Sequence, residues 1–340
     1  MDDIWYMKRA LELAALGMSR VSPNPMVGCV LVQDDKIIGE GFHQRYGEAH
    51  AEVNAINSVQ DPSLLAASTA YVTLEPCAHF GKTPPCADLL IEKKIGKVII
   101  AMQDPFGKVD GKGIEKLKSA GIAVEVGLLE DESRHLNRRF LTFHKKKRPY
   151  AILKWAETAD GFLARANGDS KWISNPYSRQ LVHKWRTEED AILVGKHTTL
   201  NDNPKLTSRE WTGKNPTRIL LDSNLEVPIS YHIFNDEAPT LIFNLKKEGN
   251  KGSNHWIQVD EMDPDNILNK LFEQNIQSVI IEGGTQVLNS FIGHGCWDEA
   301  RVFRSDGDFG EGIKAPIVKG SMERQSNILN DQLTIYTNYG

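Results

Sequence analysis

The sequence predicts an α/β protein built as two domains, and three observations predict it. Strand-like apolar runs alternate with segments of helical periodicity along most of the chain, the pattern of layered sheets covered by helices. At 340 residues the chain exceeds what one hydrophobic core ordinarily holds. The basic run Lys145-Lys146-Lys147-Arg148, ended by Pro149, interrupts the alternation and reads as a solvated junction. The first domain is assigned to residues 1–146 and the second to 147–340.

Asp2 and Asp3 can cap a first helix, along which Ile4, Met7, Leu11, Ala14 and Met18 recur at helical spacing. Gly17 and Ser22-Pro23-Asn24-Pro25 end it. Residues 27–33 and 36–41 flank Asp34-Asp35 as a hairpin. A helix opens at His50, and residues 70–74 form a strand that ends in Glu75-Pro76. Cys86 opens the next helix, 97–102 is a strand, 111–120 a helix, 123–126 a strand and 130–144 one long helix. In the second domain, strands are expected at 150–156, 191–195, 217–221, 240–243, 255–259 and 278–281. Helices are expected at 176–186, 267–274 and 286–292, giving a central, largely parallel sheet.

Composition narrows the function. A net charge of −5 argues against a surface that neutralises a phosphate polymer, so a nucleic-acid partner is not expected. A small phosphorylated substrate needs only a local basic group. No stretch approaches the roughly 20 apolar residues of a membrane span, and no signal-peptide pattern opens the chain. The cysteines, Cys29, Cys77, Cys86 and Cys296, suggest no disulfide framework, which fits a reducing cytoplasm.

The chemistry concentrates in two stretches, His50-Ala51-Glu52 and Glu75-Pro76-Cys77-Ala78-His79-Phe80-Gly81-Lys82-Thr83-Pro84-Pro85-Cys86. One imidazole and two thiolates make a three-ligand zinc site with its fourth position open, the catalytic form. Zinc lowers the pKa of a water held there. Glu52 then remains free to carry protons between that water and a leaving amine. Each residue alone has a plainer reading, as a helix cap, a buried thiol or a disulfide partner. Their joint spacing is the signature of zinc deaminases acting on nucleobases. His50 and Glu52 converge only in the first turn of a helix, because residues two apart do not share a helical face.

Eight residues separate Cys77 from Cys86 where most such deaminases have two. The longer form resembles the deaminase half of the bifunctional riboflavin-biosynthesis enzymes of bacteria. The resemblance implies a cytidine-deaminase-like three-layer domain followed by a dihydrofolate-reductase-like α/β domain. It implies zinc-dependent deamination of 2,5-diamino-6-(5-phosphoribosylamino)pyrimidin-4-one, then NADPH-dependent reduction of the ribosyl chain to ribityl. It makes Asn24 in Ser22-Pro23-Asn24-Pro25 and His43 substrate contacts, joined by His79 and Lys82 of the long loop. A cytoplasmic protein and a homo-oligomer are expected.

In the second half the resemblance rests on Lys154-Trp155-Ala156, Asp160-Gly161, Ser170-Lys171-Trp172-Ile173-Ser174, Arg186, residues 195–204, Leu206-Thr207-Ser208-Arg209 and Glu282-Gly283-Gly284. A lone Gly-Gly between strand and helix reads first as a tight turn; in the family it closes the nicotinamide cofactor site. The resemblance implies that Ala156, Trp172, Thr198, Asp202, Ser223, Gly284, Thr285, Gln286, Val287, Leu288, Asn289 and Ser290 hold NADPH. Lys154, Ser170, Arg186, Leu206, Arg209 and Glu282 would hold the substrate, with the two arginines suited to its phosphate. Residues 301–340 depart from the family pattern, with Asp306-Gly307-Asp308 where an apolar closing strand is usual. Two rivals remain: a zinc deaminase of a nucleobase or tRNA with an inactive or repurposed second domain, and a non-catalytic binding protein that has kept a structural zinc.

Overall fold

The computed structural model describes residues 2–78, 84–104, 111–171 and 173–338. His79, Lys82 and Trp172 lie outside them. The chain divides into two compact units, Met1–Lys146 and Lys147–Gly340.

The first unit runs α1 (Asp3–Ala15), β1 (Gly28–Gln33), β2 (Lys36–Phe42), α2 (Ala51–Ser58), β3 (Thr69–Val72), α3 (Cys86–Glu92), β4 (Lys97–Ile100), α4 (Lys112–Ser119), β5 (Ala123–Val126), α5 (Glu130–Leu136) and α6 (Arg138–Lys146). Its sheet has the order β2-β1-β3-β4-β5. β1 is antiparallel to β2 and β3, whereas β3, β4 and β5 are parallel. Alternating side chains give this sheet two apolar faces. Cys29, Leu31, Ala70, Val72, Val98 and Ile100 pack against α2, α3 and α4. Val30, Val32, Tyr71 and Ile99 pack against Tyr6, Met7, Ala10 and Leu13 of α1. The unit is therefore three layers, as the resemblance implies.

Two expectations need correction. Ile4 is not on the core face of α1; it is exposed, while Tyr6 and Ala10 are buried. The long helix over 130–144 is broken into α5 and α6 at Asn137. The Asn137 side chain accepts from Met26 N–H at 2.8 Å and donates to the Met26 carbonyl at 3.0 Å. Those two bonds to a distant backbone hold the residue that interrupts the helix.

The second unit runs β6 (Tyr150–Glu157), β7 (Phe162–Ala164), α7 (Pro176–Glu188), β8 (Ala191–Gly195), α8 (Lys196–Asp202), β9 (Thr217–Leu221), β10 (Thr240–Asn244), β11 (Gly249–Lys251), β12 (Asn254–Gln258), α9 (Pro264–Glu273), β13 (Ser278–Ile281), α10 (Thr285–Gly293), β14 (Glu299–Arg304), β15 (Ile313–Lys314), β16 (Ser321–Ile328) and β17 (Asp331–Thr337). The main sheet has the order β11-β12-β10-β9-β8-β13-β6-β14-β17-β16. The run from β12 to β14 is parallel, and the edges are antiparallel. One face carries α9 and α10 through Ile267, Leu271, Leu288 and Phe291. The other carries α7 through Val182 and Trp185.

The C-terminal stretch also departs from expectation. β14 is an interior strand paired with β6, and β16 and β17 close the sheet as a hairpin beyond the 306–308 turn. Its charges hid this role: Arg301 is 4% exposed, its Nε donating to Glu299 at 2.5 Å and its Nη2 to Glu189 at 3.3 Å.

Candidate active sites

In the first unit three element ends converge. His50 is the N-cap of α2 in extended backbone, Cys77 follows β3, and Cys86 is the first residue of α3. His50 Nδ1 lies 3.6 Å from Cys77 Sγ and 3.3 Å from Cys86 Sγ. All three ligand atoms lie within 4.8 Å of one another. Tetrahedral zinc with bonds of about 2.0–2.3 Å separates its ligands by about 3.5–3.8 Å, so the donor set fits that ion. Cys77 Sγ accepts the Cys86 N–H at 3.3 Å. The Cys86 thiol, the His50 imidazole and this N–H hold the Cys77 thiol well below its usual range. Thus Cys77 takes a thiolate-stabilising N–H donor from the start of α3.

Glu52 sits in the first turn of α2, 3% exposed beside the thiols. Burial, then the charge of Cys77, push its carboxyl up to about 7. The predicted first-turn geometry for His50 and Glu52 is what the helix shows. Asn24 and His43 join the same neighbourhood. The His43 ring lies 5.5 Å from that of His50. His43 Nδ1 donates to the Ala49 carbonyl at 3.1 Å, and its Nε2 accepts from Asn24 Nδ2 at 3.1 Å. Burial lowers the His43 pKa, consistent with that neutral tautomer. Glu75, given no role from sequence, is buried and bonded to backbone N–H groups of the α4 start. Its signal was its place directly before Pro76-Cys77.

In the second unit a cavity of about 1190 Å³ opens at the carboxyl ends of β6, β8, β9 and β13, where ligands bind in open α/β sheets. Lys154, Ser170, Arg186, Leu206, Arg209 and Glu282 all line it. So do Ala156, Thr198, Asp202 and Ser223, and Gly284, Thr285, Gln286, Val287 and Ser290. Leu288 and Asn289 are not brought to it: Leu288 is fully buried in the core and Asn289 is exposed.

The polar centre is Glu282. Arg186 Nη2 donates to both its oxygens at 3.0 and 3.2 Å, and Lys154 Nζ lies 4.0 Å away. Burial alone would raise the Glu282 pKa; Arg186 and Lys154 outweigh it and hold the carboxyl low. Burial lowers Lys154 in turn. Arg186 Nε remains buried without a partner among the described residues. Arg209 is half exposed. His183 also lines the cavity, one helical turn before Arg186. Burial, then Arg186 and Arg209, lower its pKa to about 4. Sequence reading missed it, although the three-residue spacing places both side chains on one helical face.

The Gly283-Gly284 junction is no left-handed turn, since neither residue has positive φ. A Cβ on Gly283 would lie 2.8 Å from Val287 Cβ, so close packing of α10 requires glycine there. Gly284 N–H donates to Thr198 Oγ1 at 2.9 Å, tying α8 to this junction. Thr285 Oγ1, at the start of α10, is buried without a partner among the described residues. An orphaned hydroxyl at a helix N-terminus fits a phosphate group of a dinucleotide.

Fold and sites together define a two-domain enzyme, a deaminase-type unit ahead of a second α/β unit with a cofactor-sized cavity. Residues 1–102 match the cytidine and deoxycytidylate deaminase zinc-binding region, and 149–333 match the RibD C-terminal domain. The riboflavin biosynthesis protein RibD of Aquifex aeolicus is 45% identical over 91% of this chain and 88% of its own. The Bacillus amyloliquefaciens protein of that name is 39% identical over 99% and 93%. The crystal structure of a diaminohydroxyphosphoribosylaminopyrimidine deaminase/5-amino-6-(5-phosphoribosylamino)uracil reductase from Thermotoga maritima aligns with a TM-score of 0.92, at 39% identity and 98% coverage of both chains. Acinetobacter baumannii RibD aligns at 0.90, with 32% identity and 99% coverage of both. The chain belongs to the RibD family: it is a bifunctional riboflavin-biosynthesis enzyme, deaminase and reductase in one polypeptide. Among the described residues no helix is long and apolar enough to cross a membrane.

Proposed function

We propose that the first unit hydrolytically deaminates 2,5-diamino-6-(5-phosphoribosylamino)pyrimidin-4-one and that the second reduces the ribosyl chain of the resulting uracil to ribityl with NADPH. The observation that carries the first half is the convergence of His50 Nδ1, Cys77 Sγ and Cys86 Sγ beside the buried Glu52. These three residues would hold zinc, which would supply the acidification of the attacking water. Glu52 takes the proton from the attacking water and delivers it to the departing ammonia. Asn24 and His43, with His79 and Lys82 of the long loop, address the pyrimidine and its substituents. The cysteines of the described chain are all free, in keeping with a reducing cytoplasm.

In the second unit the cavity would hold NADPH, which would supply the hydride for reduction of the sugar at C1′. Gly284, Thr285, Gln286, Val287, Ser290, Ala156, Thr198, Asp202 and Ser223, with Trp172, would hold the cofactor. Lys154, Ser170, Leu206 and Glu282 place the sugar against it. Arg186 is bridged to Glu282, so Arg209 is the cation better placed for the phosphate.

Elemental analysis of the purified protein tests the first half. About one zinc per chain is expected, with loss in Cys86→Ser. A metal-free parent, or undiminished zinc in the variant, contradicts the ligand set. For the second half, Arg209→Ala raises the substrate KM about 10–100-fold, the loss of one charge-assisted bond, and leaves the NADPH KM within about twofold. A raised NADPH KM with an unchanged substrate KM assigns Arg209 to the cofactor instead.

A further inference from the structure

Glu75 opens the Glu75-Pro76-Cys77 motif, yet it is not part of the cluster of His50, Cys77 and Cys86. Its carboxylate is 4% exposed and accepts four backbone N–H groups. Oε2 accepts from Asp104 at 3.2 Å and Gly111 at 3.0 Å; Oε1 accepts from Gly113 at 2.9 Å and Ile114 at 3.4 Å. Gly111 is the N-cap of α4 and has no side chain to cap with. The cap is therefore supplied from position 75, where a carboxylate also meets the positive end of the helix dipole.

These bonds bear on Cys77. The backbone N–H of Glu75 donates to the Met102 carbonyl at 3.0 Å, so the residue is held from two sides. Pro76 follows with its φ locked by the ring. Its carbonyl oxygen abuts α4 so closely that a Cβ on Gly113 would come within 2.0 Å. Cys77 comes next; its carbonyl accepts from Ala87 N–H at 3.1 Å. From Glu75 to the metal-facing sulfur the chain has little freedom left. A metal–ligand distance tolerates only about 0.2 Å of error, so a small shift of Glu75 reaches the site.

We propose that Glu75 is a positioning residue for the metal site: by binding the start of α4 it fixes the backbone from which Cys77 reaches the metal. The proposal rests on the reading of His50, Cys77 and Cys86 as zinc ligands.

The test uses the full chain as Glu75→Gln and Glu75→Asp, loaded with zinc. Zinc loss to a competing chelator is measured, together with the absorption spectrum after cobalt substitution. Glutamine keeps the shape but turns one acceptor oxygen into a donor facing amide N–H groups; aspartate keeps the charge on a shorter stem. Glu75→Gln is expected to release zinc about 10–100-fold more readily, the usual cost of losing support behind a ligand. Its cobalt spectrum shifts, Glu75→Asp recovers part of both effects, and NADPH oxidation by the second unit is unchanged. Unchanged affinity and spectrum in folded Glu75→Gln overturn the proposal. So does loss of the folded first unit in both variants, which would make Glu75 a folding residue alone. If the parent chain holds no zinc, the ligand reading itself fails and this proposal falls with it.

Discussion

Glu52→Gln retains zinc and the folded first unit but releases ammonia about 10²–10⁴-fold more slowly, the usual contribution of a positioned acid–base group. Glutamine has nearly the same volume, and Glu52 is 3% exposed in a packed first turn, so the substitution disturbs shape little. It removes the buried carboxyl that lies beside the two thiols and His50 and is suited to moving a proton. The reductase reaction, supplied with the deaminated substrate, proceeds at the parental rate. Measuring ammonia and zinc in the same preparation separates the two functions of the site. Intact ammonia release by zinc-loaded Glu52→Gln would refute the assigned role.

Arg186→Met destabilises the second unit by about 3–5 kcal/mol at neutral pH, the scale for stranding one member of a buried ion pair. Both side chains are shielded, at 11% and 13% exposure, and Lys154 at 4.0 Å brings the loss towards the lower figure. The effect is pH-dependent with a defined sign. Glu282 is held below the ordinary value of 4.5, so pairing stabilises the fold above that pH and fades as pH falls through the depressed value. Parent and variant therefore converge in acid. Urea unfolding followed from pH 7 down into acid well below the ordinary carboxylate value checks this, and the double variant Arg186→Met/Glu282→Met recovers part of the loss. An Arg186→Met deficit that stays the same across that whole pH range would show that the ion pair is not its source.

What the sequence disclosed, and what it concealed, follows from how local each feature is. His50, Cys77 and Cys86 were legible because His50 and Cys86 sit at helix starts and Cys77 in the short connection after β3, in a motif that is local in sequence. The Arg186–Glu282 pair spans 96 residues and exists only because β13 lies beside β8, so spacing alone gave no sign of it. The break at Asn137 depends on Met26, 111 residues away. Leu288 and Asn289 show a different failure. A contiguous run was assigned to the cofactor, but successive residues on a helix point in different directions, and only part of α10 faces the cavity. β14 was obscured because its arginine and glutamate read as surface charges until they are seen paired in the interior.

One chain carries both reactions in sequence. The direct measurement supplies purified protein with the diaminopyrimidine ribosyl phosphate and NADPH, and follows ammonia and NADPH in one tube. Ammonia is expected to appear first, and NADPH oxidation to follow it to the same final amount. NADPH oxidation without ammonia, or ammonia with NADPH untouched, would contradict it.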